Sequence, residues 1–273
     1  MKLSIITINY NNKDGLKKTL QSVREQTYNN YEYIVIDGYS NDGSQNIIEQ
    51  YRNIISKYVS EKDTGVFNAM NKGIACANGD YCIFLNSGDY FADKYVLEKA
   101  EGYLNDADFV SGDTICVDNN GNTKFWGAPK VLSCYIIIRY ALSHQSTFIK
   151  TELLKRRPYR EDLRIASDWE QELYEIVFHD ATYKYLPLVV SIFNDEGMSR
   201  KNLDKVKEER LKIYNEYFSK RLLKYSLGEN ELKELCSHVE EGTLLYKCML
   251  YSVKIARKVY GIFSFFKRNK LKI

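Results

Sequence analysis

The sequence is poor in the residues that staple or break a chain. Three prolines in 273 residues, with no low-complexity tract, exclude a collagenous or linker-dominated protein. The six cysteines, at 76, 82, 116, 134, 236 and 248, form no C-x-x-C pair, so a zinc ribbon or dithiol redox motif is missing. No apolar run approaches the roughly 18–20 residues of a membrane-spanning helix. The longest candidate, Val131 to Leu142, is cut by Arg139. The first apolar stretch is too short for a secretion signal, so reduced thiols in a cytoplasmic protein are expected. No G-x-G-x-x-G occurs. Gly38 and Gly43 have the spacing of a phosphate loop, but Ser44-Gln45 follows where Lys-Ser/Thr is required. Asp37 and Asp42 would repel phosphate there. Dinucleotide-dependent oxidoreductases and P-loop kinases thereby lose their main support.

What is present is an ordinary globular balance, 44% hydrophobic and 27% charged. The length fits one large domain with an appendage, or two small ones. Net charge is only +3, but it is unevenly placed. From Lys247 to Ile273 there are eight basic residues and no acid, leaving a body of net charge −5. The asymmetry points to an anionic partner for the tail. Residues 254–273 mix cations with Ile262, Phe263, Phe265 and Phe266. A helix lying on the inner-membrane surface fits, as does a helix packed on the core. No nucleic-acid recognition motif accompanies the charge, so no nucleic-acid partner is expected.

Periodicity predicts alternating elements over the first 85 residues. Leu3 to Ile8, Tyr33 to Ile36, Tyr58 to Ser60 and Tyr81 to Leu85 read as strands. Leu16, Leu20, Val23 and Thr27 share a helix face, Ile47, Ile48 and Tyr51 suggest a second helix, and Val66 to Ala77 a third. Such alternation implies parallel strands with helices on both faces. Ligands bind beyond the carboxyl ends of such strands, which directs attention to residues 7–12, 37–43, 61–65 and 86–89. Further on, Asp108 to Val110, Thr123 to Trp126 and Tyr185 to Phe193 read as strands. Leu153-Leu154 and Trp169 to Val177 read as helical, as does nearly everything after residue 200. The expected division is a domain of residues 1–200 and a helical extension of 201–273.

Within Leu85-Asn86-Ser87-Gly88-Asp89, Gly88 permits a tight turn and Asp89 follows at the sheet's carboxyl edge. A hard oxygen ligand there suits Mg²⁺ or Mn²⁺, typically held by one or two carboxylates plus substrate phosphates. An Asp that merely stabilises the turn is the alternative.

Five segments in order then carry a resemblance: Ser4-Ile5-Ile6-Thr7-Ile8-Asn9-Tyr10-Asn11, Leu20-x-Ser22-Val23-x-x-Gln26-Thr27, Ile34-Val35-Ile36-Asp37-Gly38-x-Ser40-x-Asp42-Gly43-Ser44, Asn71-Lys72-Gly73-Ile74-Ala75-x-Ala77-x-Gly79-Asp80-Tyr81 and Phe84-Leu85-Asn86-Ser87-Gly88-Asp89. The pattern continues through Gly112-Asp113, His144-Gln145-Ser146-Thr147-Phe148 and Ser167-Asp168-Trp169-Glu170 to about Ser199. This closely resembles family 2 of the inverting glycosyltransferases, with the GT-A fold. The resemblance implies an α/β Rossmann-like mixed sheet flanked by helices, a nucleotide-sugar donor (UDP-linked) and Mn²⁺ or Mg²⁺. It implies that Tyr10 stacks on the donor base and that the Asp37 loop meets base and ribose. Thr7, Asp63 and Asn71 join them as donor contacts. Many relatives carry two consecutive Asp where this chain has Asp37-Gly38, a departure that bears on the choice of uracil or guanine. Asn86-Ser87-Gly88-Asp89 stands where many relatives have an Asp-x-Asp-Asp type motif, so Asp89 becomes the metal ligand and the ribose falls to Asn86 or Ser87. Asp168 matches the catalytic base, with Glu170 as the alternative.

Asp113, His144, Gln145, Glu170, Ser199 and Arg200 complete the candidates, facing acceptor or diphosphate. For Asp113 a turn role, for His144 a structural role and for Ser199-Arg200 a surface cluster remain as alternatives. In comparable bacterial pathways the acceptor is a glycan or a polyprenyl-diphosphate-linked sugar, which a tail on the cytoplasmic face of the inner membrane would approach. Two other readings compete. Nucleotidyl transfer would want a Gly-rich, basic first loop, which residues 7–12 lack. A non-catalytic nucleotide-sugar-binding or scaffold protein is suggested by the thinned acidic motif.

Overall fold

The computed structural model describes residues 1–118, 120–194 and 202–218. Leu3–Asn9 (β1) is wholly buried, and its alternation sends side chains into two cores. Leu3 and Ile5 join Leu16, Leu20 and Val23 of Lys13–Arg24 (α1). Ile6 and Ile8 join Phe67, Met70 and Ile74 of Val66–Cys76 (α3). Each such buried side chain contributes about 1.5–3 kcal/mol of transfer free energy. Tyr31–Asp37 (β2) alternates likewise, with Tyr33 and Val35 on one face and Ile34 and Ile36 on the other.

Asn12 starts α1 by accepting from the Gly15 N–H with its side chain. Ser44–Gln50 (α2) starts beside Asp42, which accepts from the Ser44 N–H at 3.0 Å and the Lys13 N–H at 2.8 Å. Lys57–Ser60 (β3) and Tyr81–Phe84 (β4) complete the first half.

The second half contains Tyr90–Phe91 (β5), Val96–Glu101 (α4), Phe109–Val117 (β6), Thr123–Trp126 (β7) and Cys134–Arg139 (α5). A 3₁₀ turn at His144–Ser146 leads into Thr147–Lys150 (β8), then Thr151–Arg156 (α6) and Ser167–Leu173 (α7). Tyr174–Phe178 widens into a π turn before Tyr183–Asn194 (β9), and Leu203–Tyr217 (α8) follows.

The sheet runs β3-β2-β1-β4-β8-β6-β9-β5, with β7 paired to β6. β1, β2, β3 and β4 are parallel, as the alternation predicts. β8 is antiparallel to both β4 and β6, which makes the sheet mixed. Because β2 and β4 flank β1 on opposite sides, the chain reverses its winding there, and in such sheets ligands bind beyond the carboxyl ends of the strands at that point. Contacts group Met1–Leu211 as one compact unit and Lys212–Ile273 as another. Of the second, only the last turns of α8 are described.

Candidate active site

At the ends of β1, β2 and β3, Gly38 makes room for two side chains. A Cβ there would lie 2.8 Å from Asp63 Oδ2 and 3.1 Å from Tyr10 Cδ2. Glycine thus lets the Tyr10 ring and the Asp63 carboxylate converge. Tyr10 is 70% exposed, a large aromatic face offered to a ligand. Asp63 is half-buried and paired with Lys72 at 2.7 Å, and the same ammonium meets Glu61 at 2.9 Å. Lys72 therefore neutralises the loop after β3 from behind. Arg164 reaches that loop as well, donating to the Thr64 carbonyl at 2.6 Å.

The turn after β4 is built on a left-handed glycine, Gly88, at φ +110°. Thr19 of α1 anchors it: its hydroxyl accepts from the Gly88 N–H at 3.0 Å and donates to the Asp89 carbonyl at 2.7 Å. Asn12 Nδ2 donates to the Ser87 carbonyl at 2.8 Å, tying the first loop to this turn. Burial pushes the Asp89 carboxyl up to about 6, against the charge of His144 and a backbone hydrogen bond from Asn86. Asn86 Oδ1 is buried with no hydrogen-bond partner among the described residues.

The distant acid arrives at this turn. His144 Nδ1 lies 3.2 Å from Asp168 Oδ2, and its Nε2 lies 3.2 Å from Asn86 Nδ2. Asn86, His144 and Asp168 therefore form one hydrogen-bonded chain from the end of β4 to the start of α7. Burial disfavours the charged imidazole, but the hydrogen bond and charge of Asp168, with the charge of Asp89, outweigh it and raise the His144 pKa. The loop before α7 is fixed by Glu209 of α8, which accepts from the N–H groups of Arg164, Ile165 and Ala166 at 2.7, 2.9 and 3.0 Å.

Several expected contacts are engaged inside the protein instead. Thr7 is fully buried, its hydroxyl on the Leu85 carbonyl and beside the Tyr33 hydroxyl. Asp37 is also fully buried, and its oxygens accept from Asn9, Ser60 and both the N–H and hydroxyl of Ser40. It shapes the loop from beneath. Asn71 uses its amide on the Tyr159 backbone and Glu161. Asp113 ties the Ala128 N–H to the Tyr185 hydroxyl. Glu170 is fully buried in a bidentate pair with Arg157. These five side chains have partners within the protein, and those bonds position backbone and neighbouring side chains. Tyr10 and Asp63 converge at Gly38, and Asn86, Ser87 and Asp89 share the turn that His144 and Asp168 reach. Gln145 is buried beside His144. Ser199 and Arg200, like residues 254–273, lie outside the described residues.

Sequence reasoning placed Asn12 in a candidate loop without a role and passed over Thr19 and Arg164. Their chemistry is ordinary, and only long-range contacts bring them to the site.

Residues 4–164 match the profile of glycosyl transferase family 2. The chain belongs to this family. An uncharacterized glycosyltransferase of Mycobacterium tuberculosis is 34% identical over 177 residues, spanning 62% of this chain and 66% of that protein. A PGL/p-HBAD biosynthesis glycosyltransferase of Mycobacterium bovis is 27% identical over 216 residues, 76% of this chain and 83% of its own. A putative teichuronic acid biosynthesis glycosyltransferase of Bacillus subtilis is 32% identical over 138 residues, 48% of this chain and 54% of its own. Among solved structures, S. aureus TarS in complex with UDP-GlcNAc superposes with TM-score 0.62 at 21% identity, covering 84% of this chain and 71% of that one. A mannosyltransferase from Pyrobaculum calidifontis, in complex with GDP-Man and Mn²⁺, gives 0.60 at 16% identity, covering 93% and 79%. The family member described here has the GT-A fold. Among its described residues no helix is long and apolar enough to cross a membrane.

Proposed function

We propose that this chain is an inverting glycosyltransferase. It moves a sugar from a UDP-linked donor to a hydroxyl of a glycan, free or lipid-linked, in the building of a bacterial surface polysaccharide. One observation carries the reading: the hydrogen-bonded chain through His144 puts the Asp168 carboxylate beside the turn that bears Asp89.

Inversion requires a carboxylate near the acceptor hydroxyl. Asp168 takes that proton as the oxygen attacks the anomeric carbon from the face opposite the diphosphate. No covalent sugar–enzyme intermediate is required. Tyr10 offers its face to the donor base, and Asp63 lies at the base's edge. Glu170 cannot share the base's role, because Arg157 neutralises it in the interior.

Among the described residues no three His, Cys, Asp or Glu side chains gather to hold a metal by themselves. The residues present do fit a cation that takes its remaining ligands from a diphosphate. Asp89 supplies a carboxylate, and the orphaned Asn86 Oδ1 supplies a neutral oxygen. When bound, Mn²⁺ or Mg²⁺ offsets negative charge on the leaving diphosphate. A GT-A fold with bound Mn²⁺ among the solved structures supports this.

The names of the relatives, which include teichuronic acid and PGL/p-HBAD biosynthesis, support the polysaccharide or glycolipid setting. The bound UDP-GlcNAc of the TarS structure supports a uridine donor. The testing experiment is a panel of UDP- and GDP-sugars, screened by thermal shift with and without Mn²⁺ and then by nucleotide release. Metal-dependent stabilisation by a UDP-sugar, followed by release of UDP, is expected. Binding without turnover toward any acceptor or water would leave a nucleotide-sugar-binding protein instead.

A further inference from the structure

We propose that His144 is a positioning residue that joins the donor-binding turn to the acid that receives the acceptor's proton. The inference rests on the assignment of Asp168 as the base and deepens it.

In the neutral ring the direction of the hydrogen bonds is set by Asn86, whose Nδ2 can only donate, so His144 Nε2 accepts at 3.2 Å. The ring proton then sits on Nδ1 and is donated to Asp168 Oδ2 at 3.2 Å. At the other carboxylate oxygen, Oδ1, the Trp169 N–H donates at 2.8 Å. Two donors of fixed direction thus set the plane of the carboxylate and leave lone pairs for the acceptor hydroxyl. Without the imidazole, only the Trp169 N–H holds the carboxylate, and Oδ2 loses its fixed direction.

The ring stands on rigid backbone. It opens the 3₁₀ turn His144–Ser146. Ser146 at the end of that turn is fully buried and bonded to Ser191 of β9, and it accepts from Thr114 of β6. Thr147 donates back to the Ser143 carbonyl at 2.9 Å. The imidazole, 26% exposed, projects from this anchored turn between Asn86 and Asp168. Asn86 is the element through which donor binding acts on the relay. One end of its amide holds His144, and the other, Oδ1, has no hydrogen-bond partner among the described residues. Occupation of the turn by a donor therefore fixes Asn86, Asn86 fixes the imidazole, and the imidazole fixes the base.

Two measurements on the full chain test this. In the first, UDP release from UDP-linked hexoses is followed for wild type, His144→Ala and His144→Asn. His144→Ala is expected to lower kcat about 10–100-fold, the usual cost of losing an orienting partner, while donor KM stays within about 3-fold. His144→Asn, which keeps an N–H near the Nδ1 position, recovers part of the loss. Unchanged kcat, or a rise in KM with kcat intact, overturns the proposal. In the second, ¹⁵N spectra of the three histidines report the ring state of His144. A protonated Nδ1 that loses its preference in Asp168→Ala is expected, and an unprotonated Nδ1 in wild type overturns the relay. The spectrum decides the contact even if no UDP-sugar is turned over, so a failure of the relay is separable from a failure of the proposed function.

Discussion

Asn71 grips Tyr159 by its backbone from both sides: Nδ2 donates to the Tyr159 carbonyl at 2.8 Å, and Oδ1 accepts from the Tyr159 N–H at 2.9 Å. A helix side chain thereby substitutes for a strand neighbour and pins the segment that leads toward α7. Tyr159 itself packs its ring against Phe67 and Phe84. Replacing Asn71 with Ala leaves a backbone donor and acceptor of a buried residue unpaired, so stability should fall by about 2 kcal/mol. Urea denaturation checks this. A role in donor contact would instead appear as weaker donor affinity at unchanged stability.

Asp168 and Glu170 lie two residues apart and should separate cleanly. Asp168→Asn is expected to lower kcat by at least about 10²-fold with donor affinity nearly intact, since general-base help is typically of that size or larger. Glu170→Gln removes the charge facing Arg157 inside the protein. It should act on stability, by about 3 kcal/mol. Steady-state kinetics and thermal melts on the two variants distinguish the roles, and a Glu170 variant with normal stability but no turnover would reverse them.

Tyr10 is exposed, so its loss should cost the fold little. As the proposed platform for the donor base it would contribute about 1–3 kcal/mol. Tyr10→Ala should therefore weaken UDP binding about 10-fold in calorimetry with an unchanged melting temperature.

The proposed function gives Asp89 the carboxylate that holds the cation. Calorimetric titration of a UDP-sugar should show Mn²⁺-enhanced affinity in wild type and the same low affinity with EDTA. Asp89→Ala should bind at that lower level whether or not Mn²⁺ is present. Persisting Mn²⁺ enhancement in the variant would move the metal to other ligands.

Glu32 governs acid sensitivity away from the site. Burial would raise its pKa, but hydrogen bonds from Ser4, the Asn78 N–H and Lys2, with the charge of Lys2, hold it at about 2. A depressed carboxyl stabilises the fold fully above its ordinary value of 4.5, and that contribution fades as the pH falls toward 2. Allowing for the partly exposed Lys2, it amounts to about 2 kcal/mol. Wild type should lose stability between about pH 5 and pH 3 more steeply than Glu32→Gln, as read from urea midpoints.

The first four strands were legible because their signals are local. β1 and β2 alternate between two cores within seven residues each, and glycine at 88 marks the turn. β5, at two residues, is too short to show a period. β8 carries four residues, three of them buried, and periodicity cannot separate so short an apolar run from a helix segment. The acids show the same division. Residue type and position nominate Asp37, Asp89, Asp113 and Glu170 alike as polar groups near strand or helix ends, and the family resemblance nominates Asp168. Only packing shows that Asp37 and Asp113 accept from backbone N–H groups and that Glu170 pairs with an arginine.

The amino-acid sequence determined which polar groups exist at the strand ends, because short-range alternation and turn chemistry set where each strand stops. It could not allocate their hydrogen bonds. Asn71 meets Tyr159 across 88 residues, Asn86 meets His144 across 58, and His144 meets Asp168 across 24. Asp37 is enclosed by four donors and Glu170 by an arginine, whereas Asp168 meets one backbone N–H and one imidazole. Which donors reach which acids is settled when distant segments pack, and so the tertiary structure alone decided that Asp168 meets His144 and, through it, Asn86 at the end of β4.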